Sequence, residues 1–512
     1  RRACLALATL GLLAGQAWAQ GASAAPKVKF ATSAGDFVVE VYPDKAPKTV
    51  ENFLQYVKDT AREGGIEGRI RFGHQVRRAS WSTPDSRWTV EAERGDKHEP
   101  VRISCNFLFM CAGYYRNDHG YTPEFPGIER FAGRVVHPQK WTADIDYAGK
   151  RVIVIGSGAT AVTLLPELAK TAAHVTMLQR SPTYVVARPS EDAMALWLRR
   201  HLPAMWAYGI TRWKRILLGM YVFRLCRRDP AKMKRFLLGG VRQALGPDYD
   251  VAKHFTPRYN PWDQRLCLVP DGDLFTAIKS GRAEVVTEQI KAFDETGIQL
   301  QSGQHLDADL VVTATGLELQ VLGGLEIMVD GRAVDMSRTM NYKGLMYSGV
   351  PNLASSFGYT NASWTLKCDL TCEYVCRLLN HMQKHGQTTC TPRNTDPSIT
   401  EEPWVDFSSG YFQRAMHMLP KQGSRPPWRL YQNYPKDIVL LRMGRIDDGE
   451  PRSFQRSRTS PSPTNRSATS ASTRERCSGV RCATSRATAK ARSSVNPPRP
   501  SAARVNGRSS RR

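Results

Sequence analysis

The chain has 512 residues, 41% hydrophobic and 9% aromatic, with 72 Lys and Arg against 47 Asp and Glu for a net charge of +25. That much apolar material can fill the cores of about three domains, which excludes a wholly unfolded chain, a collagen-like fibre and a small disulfide-stapled fold. Residues 451–512 alone carry a net of +14, leaving +11 for residues 1–450, so basicity does not mark the bulk of the chain as a nucleic-acid binder.

The first residues, RRACLALATLGLLAGQAWAQ, place two arginines before an apolar run and end on the small-x-small triplet Ala17-Trp18-Ala19. This layout predicts a secretory signal peptide over residues 1–19, and its apolar run is too short to span a bilayer. Residues 27–57 read as two alternating strands joined at Ser33-Ala34-Gly35-Asp36, then a helix from about Pro47. On these residues the stretch 20–58 resembles the opening of periplasmic cyclophilins, the peptidyl-prolyl isomerases. The Phe-His-Arg triplet of that family has no counterpart in the following AREGGIEGRIRFGHQVRRASW, so a fragment rather than a working isomerase is expected.

Arg151–Ile155 (RVIVI) is a β-branched run of the kind buried on both faces of a sheet. Gly156-Ser157-Gly158-Ala159-Thr160-Ala161 follows directly, then a helix-period stretch to Lys170 and a second strand near His174–Leu178. In that setting G-x-G-x-x-A describes a dinucleotide seat. Gly156 permits the tight turn, Gly158 lets a pyrophosphate approach the backbone, Ala161 lets the helix pack closely, and the phosphates rest on free amides at the helix start. A structural turn without ligand is the alternative. The second strand ends in Gln179-Arg180-Ser181 instead of an acidic residue. A guanidinium and a hydroxyl suit a 2′-phosphate, which favours NADPH over NADH, against the reading of Arg180 as a solvated surface charge.

Upstream, FAGRVVHPQKW fits F-x-G-x-x-x-H-x-x-x-W through Phe131, Gly133, His137 and Trp141. On this motif residues 59–450 resemble the Baeyer-Villiger branch of the flavin-containing monooxygenases. HVTMLQRSPTYVV, YNPWDQRLCLVPDGDLF, GYTNASWTLK and LPKQGSRPPWRLYQNY bring it near the mycobacterial ethionamide-activating members. The resemblance implies an α/β flavoprotein with two dinucleotide-binding domains. A Rossmann-like NADPH domain would occupy 126–318 with a helical insert at about 190–246, and an FAD domain would be split between 59–125 and 319–450. No strand, G-x-G-x-x-G turn and helix precede Arg62, so the FAD domain is expected to be truncated at its N-terminus, its FAD site incomplete and FAD poorly held.

The same resemblance implies that NADPH reduces FAD, that O2 is trapped on the flavin as a C4a-peroxide, and that one oxygen atom passes to a substrate. That substrate would be a ketone or a small molecule's sulfur or nitrogen, as in a sulfide or thioamide. Arg265 stands at the active-site arginine position, where a guanidinium would hold the peroxide anionic; a buried structural ion pair is its alternative. Phe131, Gly133, His137 and Trp141 would form a hinge between domains. Thr315 and Gly316 belong to an Ala-Thr-Gly turn crossing between the two, and Thr360 and Asn361 to a segment bringing backbone amides to the flavin.

The basic, aromatic insert is read as a cap over the substrate cavity, with peripheral membrane contact as its alternative. Cys368, Cys372 and Cys376 share a helix face, but no His or carboxylate completes a site, and no metal is expected. Eleven cysteines without a paired framework suit a reducing compartment, and NADPH dependence points to the cytoplasm, in conflict with the export signal. The tail at 451–512, whose only aromatic is Phe454, is expected to be disordered, a nucleic-acid-binding arm being its alternative.

Overall fold

The computed structural model describes residues 27–32, 35–40, 59–447 and 452–456. The signal-peptide reading, most of the cyclophilin-like stretch and nearly all of the tail lie outside them. Strands β1 (Lys27–Thr32) and β2 (Gly35–Glu40) pair antiparallel. Next come β3 (His74–Ser82), β4 (Arg87–Arg94) and β5 (Glu99–Cys105), an antiparallel meander. Trp88, Val90 and Ala92 of β4 are buried and their neighbours are not, the period of two that a half-covered strand imposes.

Short strands β6 (Leu108–Met110) and β7 (Arg134–Val136) lead to β8 (Arg151–Ile155), helix α1 (Ala159–Leu168) and β9 (His174–Gln179). Strands β10 (Val185–Arg188) and β11 (Cys267–Pro270) pair parallel and bracket α2 (Ala193–His201), α3 (Ala204–Arg228), α4 (Pro230–Leu245) and a short helix at Val251–Phe255. With β12 (Ala283–Thr287) and β13 (Leu310–Thr313) a parallel five-stranded sheet is complete, in the order β12-β9-β8-β13-β7. Val152 and Val154 face one core with Leu165 of α1, while Ile153 and Ile155 face another with Phe131 and Phe293. Both faces of β8 are therefore covered, which is why its sequence runs apolar without alternating. Strand order reverses between β8 and β13, and the crevice outside the carboxyl ends at such a switch point is where open α/β sheets take ligands.

Beyond this sheet, β14 (Glu326–Val329) pairs parallel with β3, and β15 (Leu353–Ser355) pairs parallel with β6. These two pairings join the chain on either side of the parallel-sheet unit. Helix α5 (Trp364–Lys384) and β16 (Gln387–Pro392) follow. Strand β17 (Arg452–Arg456) pairs antiparallel with β16. Among the described residues no helix is long and apolar enough to cross a membrane.

Candidate functional site

The turn after β8 is built by elimination of side chains. Gly156 has φ +135°, and a Cβ there would lie 2.3 Å from the carbonyl oxygen of Ala314 at the end of β13. Only glycine lets the chain leave β8 across its neighbour. Gly158 differs: it is the N-cap of α1, no side chain caps the helix, and a Cβ there would meet nothing within 4 Å. Ser157 Oγ donates to Ser181 O at 2.8 Å, tying this turn to the end of β9. Ala159 and Thr160 are exposed, whereas Ala161 is fully buried where α1 packs on the sheet. Arg180 and Ser181 are exposed, and Arg180 has no ion-pair partner among the described residues. The uncapped first-turn amides, the open space over Gly158 and the free guanidinium together suit a phosphorylated anion.

The Phe131–Trp141 motif acts on the neighbouring turn. A Cβ on Gly133 would lie 2.6 Å from Asp309 O, and Phe131 packs edge-on against Phe293. Trp141 packs edge-on against Tyr147. His137 donates from Nε2 to Gly316 O at 3.1 Å and accepts at Nδ1 from the Gln139 N–H at 3.2 Å. Thr315 Oγ1 donates to Tyr121 O at 2.7 Å, and the Tyr121 N–H donates to Gly316 O. His137, Thr315 and Gly316 therefore clamp the crossing turn to two loops. Both ring nitrogens of His137 are satisfied only when it is neutral. Burial lowers its pKa from 6.5, partly opposed by the bond to Gly316 O. A depressed pKa makes this contribution to stability complete above 6.5 and lost as pH falls through the lower folded-state value. Urea unfolding midpoints of the wild type should therefore fall more steeply below that pH than those of His137→Gln, whose amide keeps the donor to Gly316. Parallel slopes would exclude the linkage.

Arg265 lies between β10's partner strand and a ring of aromatics. Together with Tyr114, Phe357, Tyr359, Thr360, Trp364, Phe407, Tyr411 and Phe412 it lines a narrow cleft. Tyr114 stacks on Trp364 with ring centroids 4.7 Å apart. Burial raises the pKa of Tyr114 and Tyr411 while the charge of Arg265 pulls both down. No carboxylate pairs with Arg265 among the described residues, and the side chain is exposed, so the buried ion-pair alternative is corrected. Its loop is braced from α3: Arg227 bridges Asp263 and Asp406 at 2.9 Å each, and Phe223 packs on Trp262.

A second cleft, with a cavity of about 20 Å³, adjoins the first at the carboxyl ends of β6 and β15, lined by Met110, Gly113, Leu319, Ser356 and Trp404 among others. Trp404 Nε1 and Ser356 Oγ are buried there without a hydrogen-bond partner. No residue of 190–246 is among those lining these two pockets.

The family model described as flavin-binding monooxygenase-like matches residues 30–201. The FAD-containing monooxygenase EthA of Mycobacterium tuberculosis is 52% identical over 397 residues, covering 77% of this chain and 81% of EthA. The chain belongs to the FAD-containing monooxygenases. EthA of Mycolicibacterium smegmatis is 50% identical over 394 residues, covering 77% of the chain and 80% of that protein. Among solved structures, oxidized steroid monooxygenase bound to NADP has a TM-score of 0.54 at 24% identity, over 67% of this chain and 72% of that one. The family match begins inside the stretch likened to cyclophilins, so the boundary near residue 59 was drawn too late. Alternating strands such as KVKF and DFVVEV are common to many folds and do not separate two families.

This monooxygenase has donors suited to both cofactors. The bare seat between Gly156 and Ala161 fits a diphosphate. The orphaned indole N–H of Trp404 and hydroxyl of Ser356 fit the polar edge of a flat, otherwise apolar ring system. Neither residue belongs to a periodic run or a spaced motif that would single it out. Thr360 and Asn361 are engaged differently from expectation. The Thr360 N–H donates to Gln432 Oε1 and Asn361 Nδ2 to Gln432 O, both at 3.0 Å. Gln432 thus accepts from the Thr360 main-chain amide through its side chain and from the Asn361 side chain through its carbonyl.

Proposed function

We propose that this chain oxygenates small ketones, or the sulfur or nitrogen of sulfides and thioamides, with NADPH, FAD and O2. The observation that carries the reading is the side-chain-free seat at Gly156–Ala161 beside the unpaired Arg180, at the switch point of the parallel sheet. Amides of α1 hold the diphosphate, and Arg180 with Ser181 holds the 2′-phosphate. Bound FAD, reduced by NADPH, supplies the activation of oxygen. Trp404 and Ser356 orient the flavin ring by donating to its polar edge. Arg265 places a cation beside the reacting centre, and Tyr114, Phe357, Trp364 and Phe412 wall it off from water. An aromatic lining without a buried carboxylate suits uncharged substrates. NADPH dependence favours action in the cytoplasm.

The test is coenzyme titration followed by turnover. Protein supplied with FAD in excess should oxidise NADPH only when O2 is present. Arg180→Ala should raise KM for NADPH by about 10–100-fold and leave KM for NADH nearly unchanged. An equal effect on both coenzymes would remove Arg180 from the 2′-phosphate, and failure of NADPH to bind would remove the redox assignment.

A further inference from the structure

Large apolar side chains exposed to solvent gather on one part of this molecule. They include Trp197 of α2, Met205, Trp206, Leu217 and Tyr221 of α3, and Phe236 of α4, with Trp206 70% and Phe236 72% exposed. On α3 the positions follow helical spacing. Trp206, Ile210, Trp213, Leu217 and Tyr221 form one stripe at i, i+4, i+7, i+11 and i+15, of which Trp213 also packs on Tyr434, and Arg224 and Arg228 continue the same line. Away from this stripe, Ala207, Ile216 and Cys226 of α3 are buried, on its two flanks and opposite it. The stripe is therefore not a core face waiting for a neighbour within this fold.

Charge identifies what covers it. Residues 193–245 contain twelve Lys and Arg and a single acidic residue, Asp229. Asp229 is taken up in capping α4, and the preceding Asp192 is held by Lys214 and Arg215. Arg199, Arg200, Arg224, Arg228, Lys232 and Arg235 are exposed and without ion-pair partners among the described residues. A second copy of the chain would present the same cations, so self-association through this face opposes like charges. Trp, Tyr and Leu ringed by arginines match the interface of an anionic bilayer, where indoles and phenols sit at headgroup depth and each nearby cation adds attraction.

We propose that the α2–α4 face docks this monooxygenase on anionic lipid membranes, the apolar stripe of α3 entering the headgroup layer. The inference does not depend on the coenzyme assignment. The experiment is co-sedimentation of the full chain with vesicles of phosphatidylcholine alone or mixed with phosphatidylglycerol, at low and high salt, with tryptophan emission recorded alongside. Binding to the anionic vesicles with a blue-shifted emission is expected. The variant Trp206→Glu/Leu217→Glu/Tyr221→Glu, which alters exposed positions only, should keep its melting temperature while its partition coefficient falls by at least about a hundredfold. Equal binding by the variant, abolished by salt, would assign the contact to the basic C-terminal residues and overturn the proposal. A wild-type dimer that becomes monomeric in the variant, without vesicle binding, would overturn it too.

Discussion

Gly156→Ala should lower the stability of this protein by about 3 kcal/mol or more, whereas Gly158→Ala, two residues away, should leave its melting temperature unchanged or slightly raised. At Gly156 two penalties coincide. The backbone sits at φ +135°, which an L side chain rarely adopts, and the new methyl would lie 2.3 Å from the Ala314 carbonyl oxygen. That oxygen lies one residue beyond the β8–β13 pairing, which ends at Thr313, so it has little room to yield. At Gly158 φ is −77° and the methyl would meet no protein atom, so the folded state is unstrained and the unfolded chain loses some freedom. Its cost should fall on the coenzyme: NADPH affinity should drop by about 10–100-fold as the methyl occupies the diphosphate's approach. Thermal melts with and without NADPH separate the two outcomes. Were Gly158→Ala to bind NADPH as well as the parent does, the diphosphate would have to lie elsewhere.

That contrast also marks how far the sequence could be read. Both glycines were visible in G-x-G-x-x-A because the turn follows a β-branched strand and precedes a helix, all within one short stretch of chain. His137 was equally visible as part of a spaced motif, although its partner Gly316 lies 179 residues away and only the fold explains the pairing. Trp404, Ser356 and Gln432 were not legible, since each acts through contacts made across the fold and none interrupts or extends a local pattern. The insert marks another limit. Its basic and aromatic composition is evident, but composition cannot say which side of a helix turns inward.

The other large effect is expected at a charge pair buried behind the Arg265 pocket. Lys367 of α5 lies 2.9 Å from Asp437 Oδ2, with only 6% and 1% of the two side chains accessible, and Tyr359 donates its hydroxyl to the same oxygen at 2.6 Å. Burial draws the Lys367 pKa down and Asp437 partly restores it, while burial and the carboxylate together push the Tyr359 phenol up. Tyr359 precedes Thr360, and both line the pocket with Arg265. Asp437→Asn should therefore destabilise the protein by about 3–5 kcal/mol, because it strands the ammonium of Lys367 without a counter-charge. Adding Lys367→Met to Asp437→Asn should recover most of that loss, since the Asn oxygen still accepts from Tyr359 and no charge remains buried. Tyr359→Phe alone should cost only about 1–2 kcal/mol, the salt bridge remaining intact. Urea denaturation of the two single variants at position 367 and 437 and the double variant gives the coupling directly. If the losses simply add, the pair contributes no mutual stabilisation and the pocket wall at Tyr359 must be fixed by the Gln432 contacts instead.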